Sequence, residues 1–308
     1  MIISVSRRTD IPALYSEWFM NRLKEGYLLI PYPRNANRIG RVQLSPNNVD
    51  CIAFWTKNPA PMLKKLSLLN TMGYAAYYIQ FTLTPYDKSV ESGLPPKAEL
   101  LETFMEMSRR IGKKRSIWRY DPVFIDGNHS INWHIAKFSE MCKKLQGYTE
   151  RCAISFIDVY RNIASSFRAM TQTEIKAIAE AFSHIAGQCG ISLYTCSEEI
   201  DLLEYGIGHN ACVDKDLIEQ IIGYEIKAKR DVNQRSACKC IESVDIGAYD
   251  TCSHGCAYCY ATSSKKTVLR NVAEHNPNAP MITGFPRGDE IISERTTESQ
   301  KIEQISLF

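Results

Sequence analysis

Three cysteines near the C-terminal end of the sequence have the spacing of a metal-binding loop. Cys252, Cys256 and Cys259 follow the pattern C-x3-C-x2-C, which lets one tight loop present three thiolates to a single [4Fe–4S] cubane. Gly255 permits the sharp turn and a close approach of the backbone. The fourth iron stays open to another molecule, since His254 is expected to point away. Zinc is the alternative, because Cys256 and Cys259 also form a C-x2-C pair.

Four further cysteines lie upstream of this loop. They are Cys196, Cys212, Cys238 and Cys240. If the fold gathers them at one end of a sheet, four thiolates would suit an auxiliary [4Fe–4S] cluster or a zinc ion equally well, and His209 could replace one of them. The alternative is free thiols with no shared ligand. The remaining cysteines are interpreted as packing residues, because free cysteine behaves as a small hydrophobe; they are Cys51, Cys142, Cys152 and Cys189.

Short apolar segments alternate with helical patterns along most of the chain. Strands are predicted at 2–6, 27–30, 51–55, 77–83, 116–120, 152–157, 191–195 and 244–246. Helices are predicted at about 13–25, 60–72, 97–112, 131–146, 172–187 and 214–223. Such alternation is typical of a parallel α/β sheet. We predict a (β/α)8 TIM-type barrel, with a doubly wound open sheet as the alternative, because periodicity cannot separate the two.

Polar and charged residues lie at the carboxyl ends of these predicted strands, where parallel α/β folds build their active sites. The pattern therefore favours an enzyme. Asp10 is expected to cap the first helix, which has a proline at its start. The residues at the strand ends include Arg7, Arg8, Lys57, Arg119 and Ser155.

The cysteine loop, with an aromatic residue before its last cysteine, resembles the signature of radical S-adenosylmethionine (SAM) enzymes. The wider segment Tyr249-x2-Cys252-x-His254-Gly255-Cys256-x-Tyr258-Cys259-Tyr260-Ala261 is similar to the branch that contains spore photoproduct lyase. The resemblance implies that the three cysteines bind a [4Fe–4S] cluster, that its open iron binds SAM, and that Tyr258 lies beside the adenine. It also implies reductive cleavage of SAM to a 5′-deoxyadenosyl radical, and an electron donor such as flavodoxin or ferredoxin. The substrate stays unnamed.

Three shorter segments also resemble that branch. They are Phe54-Trp-Thr-Lys57, Gln80-Phe-Thr-Leu-Thr84 and Trp118-Arg119-Tyr-Asp-Pro122. By this mapping, Lys57, Arg119 and Ser155 are expected to hold SAM. Arg7 or Arg8 is expected to contact the carboxylate of SAM or the substrate, because a guanidinium group can donate to both carboxylate oxygens.

The position of the cysteine loop departs from the pattern of radical SAM enzymes, in which the loop follows the first barrel strand. Here it follows the last predicted strand, 244–246. We therefore predict a circularly permuted barrel over 1–261, with the cluster loop at 249–261 and the last strand beside the first. Residues 262–308 are predicted to form a tail that docks on the barrel. The arrangement also resembles an uncharacterised bacterial family, the domain of unknown function DUF1848, which has a C-terminal CxxxCxxC motif.

Composition limits the other classes of protein. The 308 residues contain no apolar run long enough to span a membrane, and the N-terminus becomes basic only after an apolar start, unlike a signal peptide. We expect a cytoplasmic protein with no membrane partner. The main alternative is an iron–sulfur or zinc protein that binds nucleic acid without radical chemistry, although a net charge of +3 supports this weakly. The lyase resemblance also makes nucleic acid a candidate substrate. A metal-dependent hydrolase is disfavoured, because no H-x-H or H-E-x-x-H motif occurs.

Overall fold

A large parallel sheet forms the centre of the molecule. The computed structural model describes residues 1–32 and 35–302, without the side chain of Ala36. The sheet comprises β1 (Ile2–Val5), β4 (Cys51–Thr56), β5 (Tyr77–Thr82), β6 (Ser116–Val123), β7 (Arg151–Phe156), β8 (Ser192–Cys196), β9 (Gly208–Asn210) and β10 (Val244–Asp245). These strands lie in the order β10-β1-β4-β5-β6-β7-β8-β9, and every neighbouring pair is parallel. A second sheet contains β2 (Tyr27–Tyr32), β3 (Asn35–Gln43) and β11 (Ile291–Arg295), in the order β11-β3-β2.

Helices connect most of the parallel strands. They are α1 (Ile11–Leu14), α2 (Ser16–Glu25), α3 (Ala60–Leu63), α4 (Leu66–Thr71), α5 (Lys97–Ile111), α6 (Ile131–Leu145), α7 (Gln172–Gln188), α8 (Lys215–Ile222) and α9 (Lys265–Ala273). The start of α7 is a capping box, in which Thr171 and Glu174 each accept the other's backbone N–H. None of the helices in the described residues is long and apolar enough to cross a membrane.

Apolar residues fill the space between the large sheet and its helices. All six residues of β4 are buried, as expected for a strand covered on both faces. Phe138 on α6 stacks on Phe182 of α7 with ring centroids 3.8 Å apart, and Trp118 of β6 stacks on Phe138 at 5.1 Å. This packing fixes the strands, and with them the positions of the side chains at their carboxyl ends.

The predicted α/β class with a large parallel sheet is confirmed, but the assignments differ for four strands, since β3, β9 and β11 are not among the predicted strands and β2 lies in the small sheet. Predicted strand 27–30 corresponds to β2, which pairs antiparallel with β3 in the small sheet. The eighth parallel strand is β9, whose sequence Gly-His-Asn carries no apolar signal. The last predicted strand, β10, lies beside β1, with Ile3 opposite Val244.

The segment after α9 runs back along the body of the protein. Ala279 accepts a hydrogen bond from the indole of Trp18 at 2.9 Å, and β11 adds to β3 in the small sheet. Gln300 donates its backbone N–H to the Asp50 carboxylate at 2.8 Å. Residues 303–308, which include the apolar C-terminus predicted to dock, lie outside the described residues.

Candidate metal centre and substrate cavity

A cavity of about 1210 Å³ opens at the carboxyl ends of the parallel strands. All the site residues predicted from the sequence line it, although they come from distant parts of the chain. The two sets of cysteines therefore face one shared space. The predicted residues in its wall are Arg7, Arg8, Lys57, Arg119, Ser155, Cys196, Cys212, Cys238, Cys240, Cys252, Cys256, Tyr258 and Cys259.

The loop that carries Cys252, Cys256 and Cys259 is fixed by the segment between β5 and α5. Gly93 donates its N–H to the carbonyl of His254 at 2.8 Å, and Ala257 donates to Val90 at 2.8 Å. A Cβ atom on Gly93 would lie 2.8 Å from the His254 carbonyl oxygen, and one on Gly255 would lie 2.5 Å from Ser92 Oγ. Gly255 also has a φ of +65°, in the left-handed region that favours glycine.

The side chain of His254, the residue between two of the cysteines, is paired with Asp10. Its Nε2 atom lies 2.8 Å from Asp10 Oδ2, and both side chains are buried. Asp10 also accepts the backbone N–H of Lys57 at 2.7 Å and caps α1 through the N–H of Ala13. The histidine is thereby engaged in holding the loop against β1 and β4.

The three cysteines are half-buried free thiols. Burial raises the pKa of Cys252 and that of Cys256 to about 12, although the nearby Lys57 ammonium opposes the shift at Cys256. A bound metal would displace these protons. Within residues 1–32 and 35–302, no three His, Cys, Asp or Glu side chains surround a single point in the way that one zinc ion requires.

The three thiols of the loop fit a [4Fe–4S] cubane better than they fit a single zinc ion. Each cysteine of such a cluster binds a different iron, so the sulfurs do not have to surround one point. All three thiols open into the cavity, and the missing side chain of Gly255 leaves the loop room to turn tightly. Cys252, Cys256 and Cys259 are therefore the residues of this loop that could hold the cluster.

Glu91 is a buried carboxylate that links the loop to its surroundings. Lys57 donates to it at 2.8 Å, and Lys97, Thr84 and the hydroxyl of Tyr258 donate as well. Burial alone would favour the protonated acid, yet Lys57 and Lys97 lower the pKa of Glu91 to about 2. The Lys57 ammonium also lies 5.3 Å from the centre of the Tyr258 ring. Lys57 and Tyr258, two predicted SAM contacts, thus both donate hydrogen bonds to the Glu91 carboxylate.

Arg119 and Ser155 meet at Asp121. Both donate to its carboxylate, and the resulting charge stabilisation outweighs burial, so that the pKa of Asp121 is lowered. The other end of the Arg119 guanidinium donates to Cys212 Sγ at 2.8 Å and to Gln80 at 3.0 Å. Arg119 therefore contacts the second set of cysteines.

Arg7 and Arg8 are both linked to Asp245 of β10. Arg8 donates to its Oδ1 from Nη2 at 3.0 Å, and the backbone N–H of Arg7 donates to Oδ2 at 2.9 Å. The Arg7 guanidinium instead lies over Trp55, 5.2 Å from the ring centre. Arg8 is thus held in an ion pair with Asp245, whereas the Arg7 guanidinium extends along the cavity wall with its Nη1 atom 3.9 Å from Asp231 Oδ2.

The second set of cysteines comes together in the folded chain. Cys196 Sγ lies 2.6 Å from Cys212 Sγ, and Cys212 in turn contacts Cys240. The thiol of Cys240 contacts Cys238, whose pKa is lowered to about 7 by that hydrogen bond. His209 instead lies 2.8 Å from the hydroxyl of Thr195 through its Nδ1 atom.

Glu91, Asp121 and Asp245 are the site residues for which the sequence carries little signal. Glu91 occurs in a polar loop, and its partner Tyr258 is 167 positions away. Asp245 is the last residue of β10. Its contacts with Arg7 and Arg8 follow only once β10 is known to lie beside β1. Asp121 follows Arg119 on the same strand, and this spacing leaves substrate binding and ion pairing equally open.

The fold and the site define an α/β protein with a cysteine-rich cavity at the carboxyl end of a parallel sheet. The chain belongs to the DUF1848 family, a domain of unknown function, whose profile matches residues 2–261. No curated protein matches the sequence. Among solved structures, the chain is similar to a candidate α-L-fucosidase from Bacteroides thetaiotaomicron, with 13% identity and a TM-score of 0.27. The match covers 50% of this chain and 66% of the other, less than two thirds of that protein.

Proposed function

We propose that this protein is a radical SAM enzyme whose [4Fe–4S] cluster is bound by Cys252, Cys256 and Cys259. The observation that carries the proposal is one loop with three free thiols facing a large cavity, with the intervening histidine tied to Asp10. The loop thus offers three protein ligands and keeps a fourth position open for a small molecule. When bound, such a cluster supplies the electron that cleaves SAM and releases a 5′-deoxyadenosyl radical.

Tyr258 and Lys57 are the side chains best placed to contact SAM. Both lie close enough to Cys256 for its charge to affect their pKa values, and Glu91 orients both. An aromatic ring suits the adenine, and an ammonium group suits a carboxylate. Ser155 lies farther along the same wall beside Asp121, where it could bind SAM or the substrate. Arg8 is paired with Asp245 and would orient the loop from its other side.

We also propose that the parallel sheet is a permuted barrel with its seam between β9 and β10. Two hydrogen bonds support this closure. Ile241, just before β10, donates its N–H to the carbonyl of Val213, just after β9, at 3.1 Å. The N–H of Val213 donates to Cys240 Sγ at 3.3 Å. The segments next to the two edge strands are therefore in contact.

An assay for 5′-deoxyadenosine tests the proposed reaction. The full chain would be reconstituted anaerobically with ferrous iron and sulfide, reduced with dithionite and incubated with SAM. We expect 5′-deoxyadenosine to form above the level of a protein-free control. Cys256→Ala should abolish the formation of 5′-deoxyadenosine, because the two remaining cysteines are too few to bind the cluster to which SAM would bind.

The control for this assay is Cys142→Ala, since Cys142 is fully buried in the core and distant from the cavity lining. It should retain wild-type activity. If reconstituted wild-type protein with its full iron content forms no 5′-deoxyadenosine above the Cys256→Ala level, the proposed function is wrong.

A further inference from the structure

We propose that Cys196, Cys212, Cys238 and Cys240 bind a second [4Fe–4S] cluster, facing the same cavity as the first. The four thiols come from three separate segments. Cys196 ends β8, Cys212 follows β9, and Cys238 and Cys240 precede β10. The inference concerns metal binding alone and does not depend on the proposed reaction with SAM.

The four thiols form a continuous row along the cavity wall. Cys212 contacts Cys196 on one side and Cys240 on the other, and Cys240 contacts Cys238. The core thiols Cys142 and Cys189 also contact each other, but neither of them lines the cavity. The four remaining cysteines, all buried in the body of the protein, make no contribution to the cavity lining.

Two arginines lie beside this row. Arg119 is buried and donates to Cys212 Sγ at 2.8 Å. Arg7 lies in the wall of the same cavity, and its Nη1 atom is 3.9 Å from Asp231 Oδ2. Arg7 Nη2 is also buried and has no hydrogen-bond partner among the described residues. A buried guanidinium without a full set of partners is costly, and an anionic metal–thiolate group would supply them.

The backbone around Cys212 is fixed independently of any metal. Its carbonyl oxygen accepts hydrogen bonds from Tyr78 Oη at 2.6 Å and Gln80 Nε2 at 2.9 Å, both from β5. The N–H of Val213 donates to Cys240 Sγ at 3.3 Å. Hydrogen bonds from N–H groups to cysteine sulfur are one means by which proteins adjust the potential of iron–sulfur clusters.

The arrangement favours a cluster over a zinc ion. Structural zinc sites typically use C-x2-C to C-x4-C pairs, whereas here one residue separates Cys238 and Cys240. The sulfurs of Cys196 and Cys212, 2.6 Å apart, would have to separate in either kind of site. In a cubane each thiolate binds a different iron, and rotation of the side chains into the cavity would separate the sulfurs. Four cysteine ligands would leave no iron open to SAM.

Iron counting in the full chain tests this proposal. Wild-type protein, reconstituted anaerobically with ferrous iron and sulfide, should bind about eight irons and eight sulfides. The variant Cys252→Ala/Cys256→Ala/Cys259→Ala removes the first set and should retain about four of each. After reduction with dithionite, its electron paramagnetic resonance spectrum should show a reduced [4Fe–4S] cluster that does not change when SAM is added.

The reciprocal variant Cys238→Ala/Cys240→Ala should also retain about four irons, with a spectrum that responds to SAM if the proposed function is right. Cys142→Ala/Cys189→Ala is the matched control and should bind as much iron as wild type. Mössbauer spectroscopy can be applied to the wild-type chain itself and should show two equal populations of [4Fe–4S] clusters. If the proposed function is right, SAM should perturb only one of them.

Two results would overturn the proposal. One is about four irons in wild-type protein with none in the triple variant, provided that circular dichroism shows the variant to be folded. The other is about one zinc per chain, lost in Cys238→Ala/Cys240→Ala and not replaced by iron and sulfide. If wild-type protein bound about eight irons but formed no 5′-deoxyadenosine, the proposed function would be wrong and the second cluster would still be supported.

Discussion

Asp10 Oδ2 lies 2.8 Å from His254 Nε2, although the two residues are 244 positions apart. The same oxygen accepts the N–H of Lys57, so one carboxylate joins the loop after β1, the loop after β4 and the cysteine loop. With Nε2 protonated, the histidine donates to the carboxylate. His254 therefore positions the cysteine loop through Asp10, whereas its three cysteine neighbours remain available for metal.

Replacing His254 distinguishes a residue that positions the cysteine loop from a residue that binds the metal. His254→Ala should lower the free energy of unfolding by about 1 to 3 kcal/mol, because the buried Asp10 carboxylate loses a donor. Its iron content after reconstitution should remain at the wild-type value, in contrast to Cys256→Ala. His254→Gln offers an amide donor and should recover part of the stability. Loss of about four irons in His254→Ala would instead identify the histidine as a ligand.

Glu91 provides the second prediction. Glu91→Gln leaves the ammonium groups of Lys57 and Lys97 without their shared counter-charge, and breaking a buried ion pair costs about 3 to 5 kcal/mol. Urea unfolding should show a loss of that size. The control is Glu140→Gln, because Glu140 pairs with two lysines on the exposed face of α6. That change should cost under about 1 kcal/mol, as is usual for surface pairs. Equal losses in the two variants would contradict the prediction.

Gly255 provides the third prediction. Gly255→Ala must hold a φ of +65° and brings a Cβ atom to 2.5 Å from Ser92 Oγ. The left-handed conformation alone should cost about 1 to 2 kcal/mol. Adding Ser92→Ala should remove the steric part and leave the conformational part. Gly127→Ala is the matched control, with nothing within 4 Å of its new Cβ atom. The measurement is urea unfolding of the three variants, and equal stabilities of Gly255→Ala and Gly127→Ala would contradict the prediction.

Much of the fold was predictable because its signals are local. The apolar runs of β4, β5 and β6 bury most of each strand, and buried and half-buried residues alternate along β7. The helices α5 and α6 between these strands are amphipathic. Strand β9 was missed, because three residues held by pairing with β8 need no apolar pattern of their own. Strand β2 was recognised but assigned to the wrong sheet, since its antiparallel partner β3 was not predicted.

The site was predictable to the extent that its residues share a motif or follow a strand. Cys252, Cys256 and Cys259 stand within eight positions, so their spacing alone predicts a metal-binding loop. Glu91 could not be recognised in this way, because its four donors come from separate parts of the chain. The partners of Arg119 and Arg8 could not be recognised for the same reason. Their anionic partners, Asp121 and Asp245, and the thiol of Cys212 become neighbours only in the folded protein.

His134 provides the fourth prediction, which concerns pH. Its Nδ1 atom lies 3.0 Å from Tyr120 Oη and its Nε2 atom 2.7 Å from the Phe124 carbonyl oxygen, in a fully buried position. Burial lowers its pKa from 6.5 to about 4. As pH falls below about 6.5, the unfolded chain takes up a proton that the folded chain does not bind until about pH 4. Protonation of His134 therefore destabilises the fold across this range.

The measurement is the free energy of unfolding in urea at pH 7 and pH 4 for wild type and His134→Gln. The variant should be less stable at pH 7, because it loses hydrogen bonds to Tyr120 and Phe124, by about 1 to 3 kcal/mol. Since glutamine does not titrate, wild type alone should lose about 3 kcal/mol between pH 7 and pH 4, so that at pH 4 the variant should be as stable as wild type or more stable. His184→Gln, at an exposed position on α7, should leave the pH dependence unchanged. A difference between wild type and His134→Gln that stayed constant with pH would mean that His134 is protonated equally in both states.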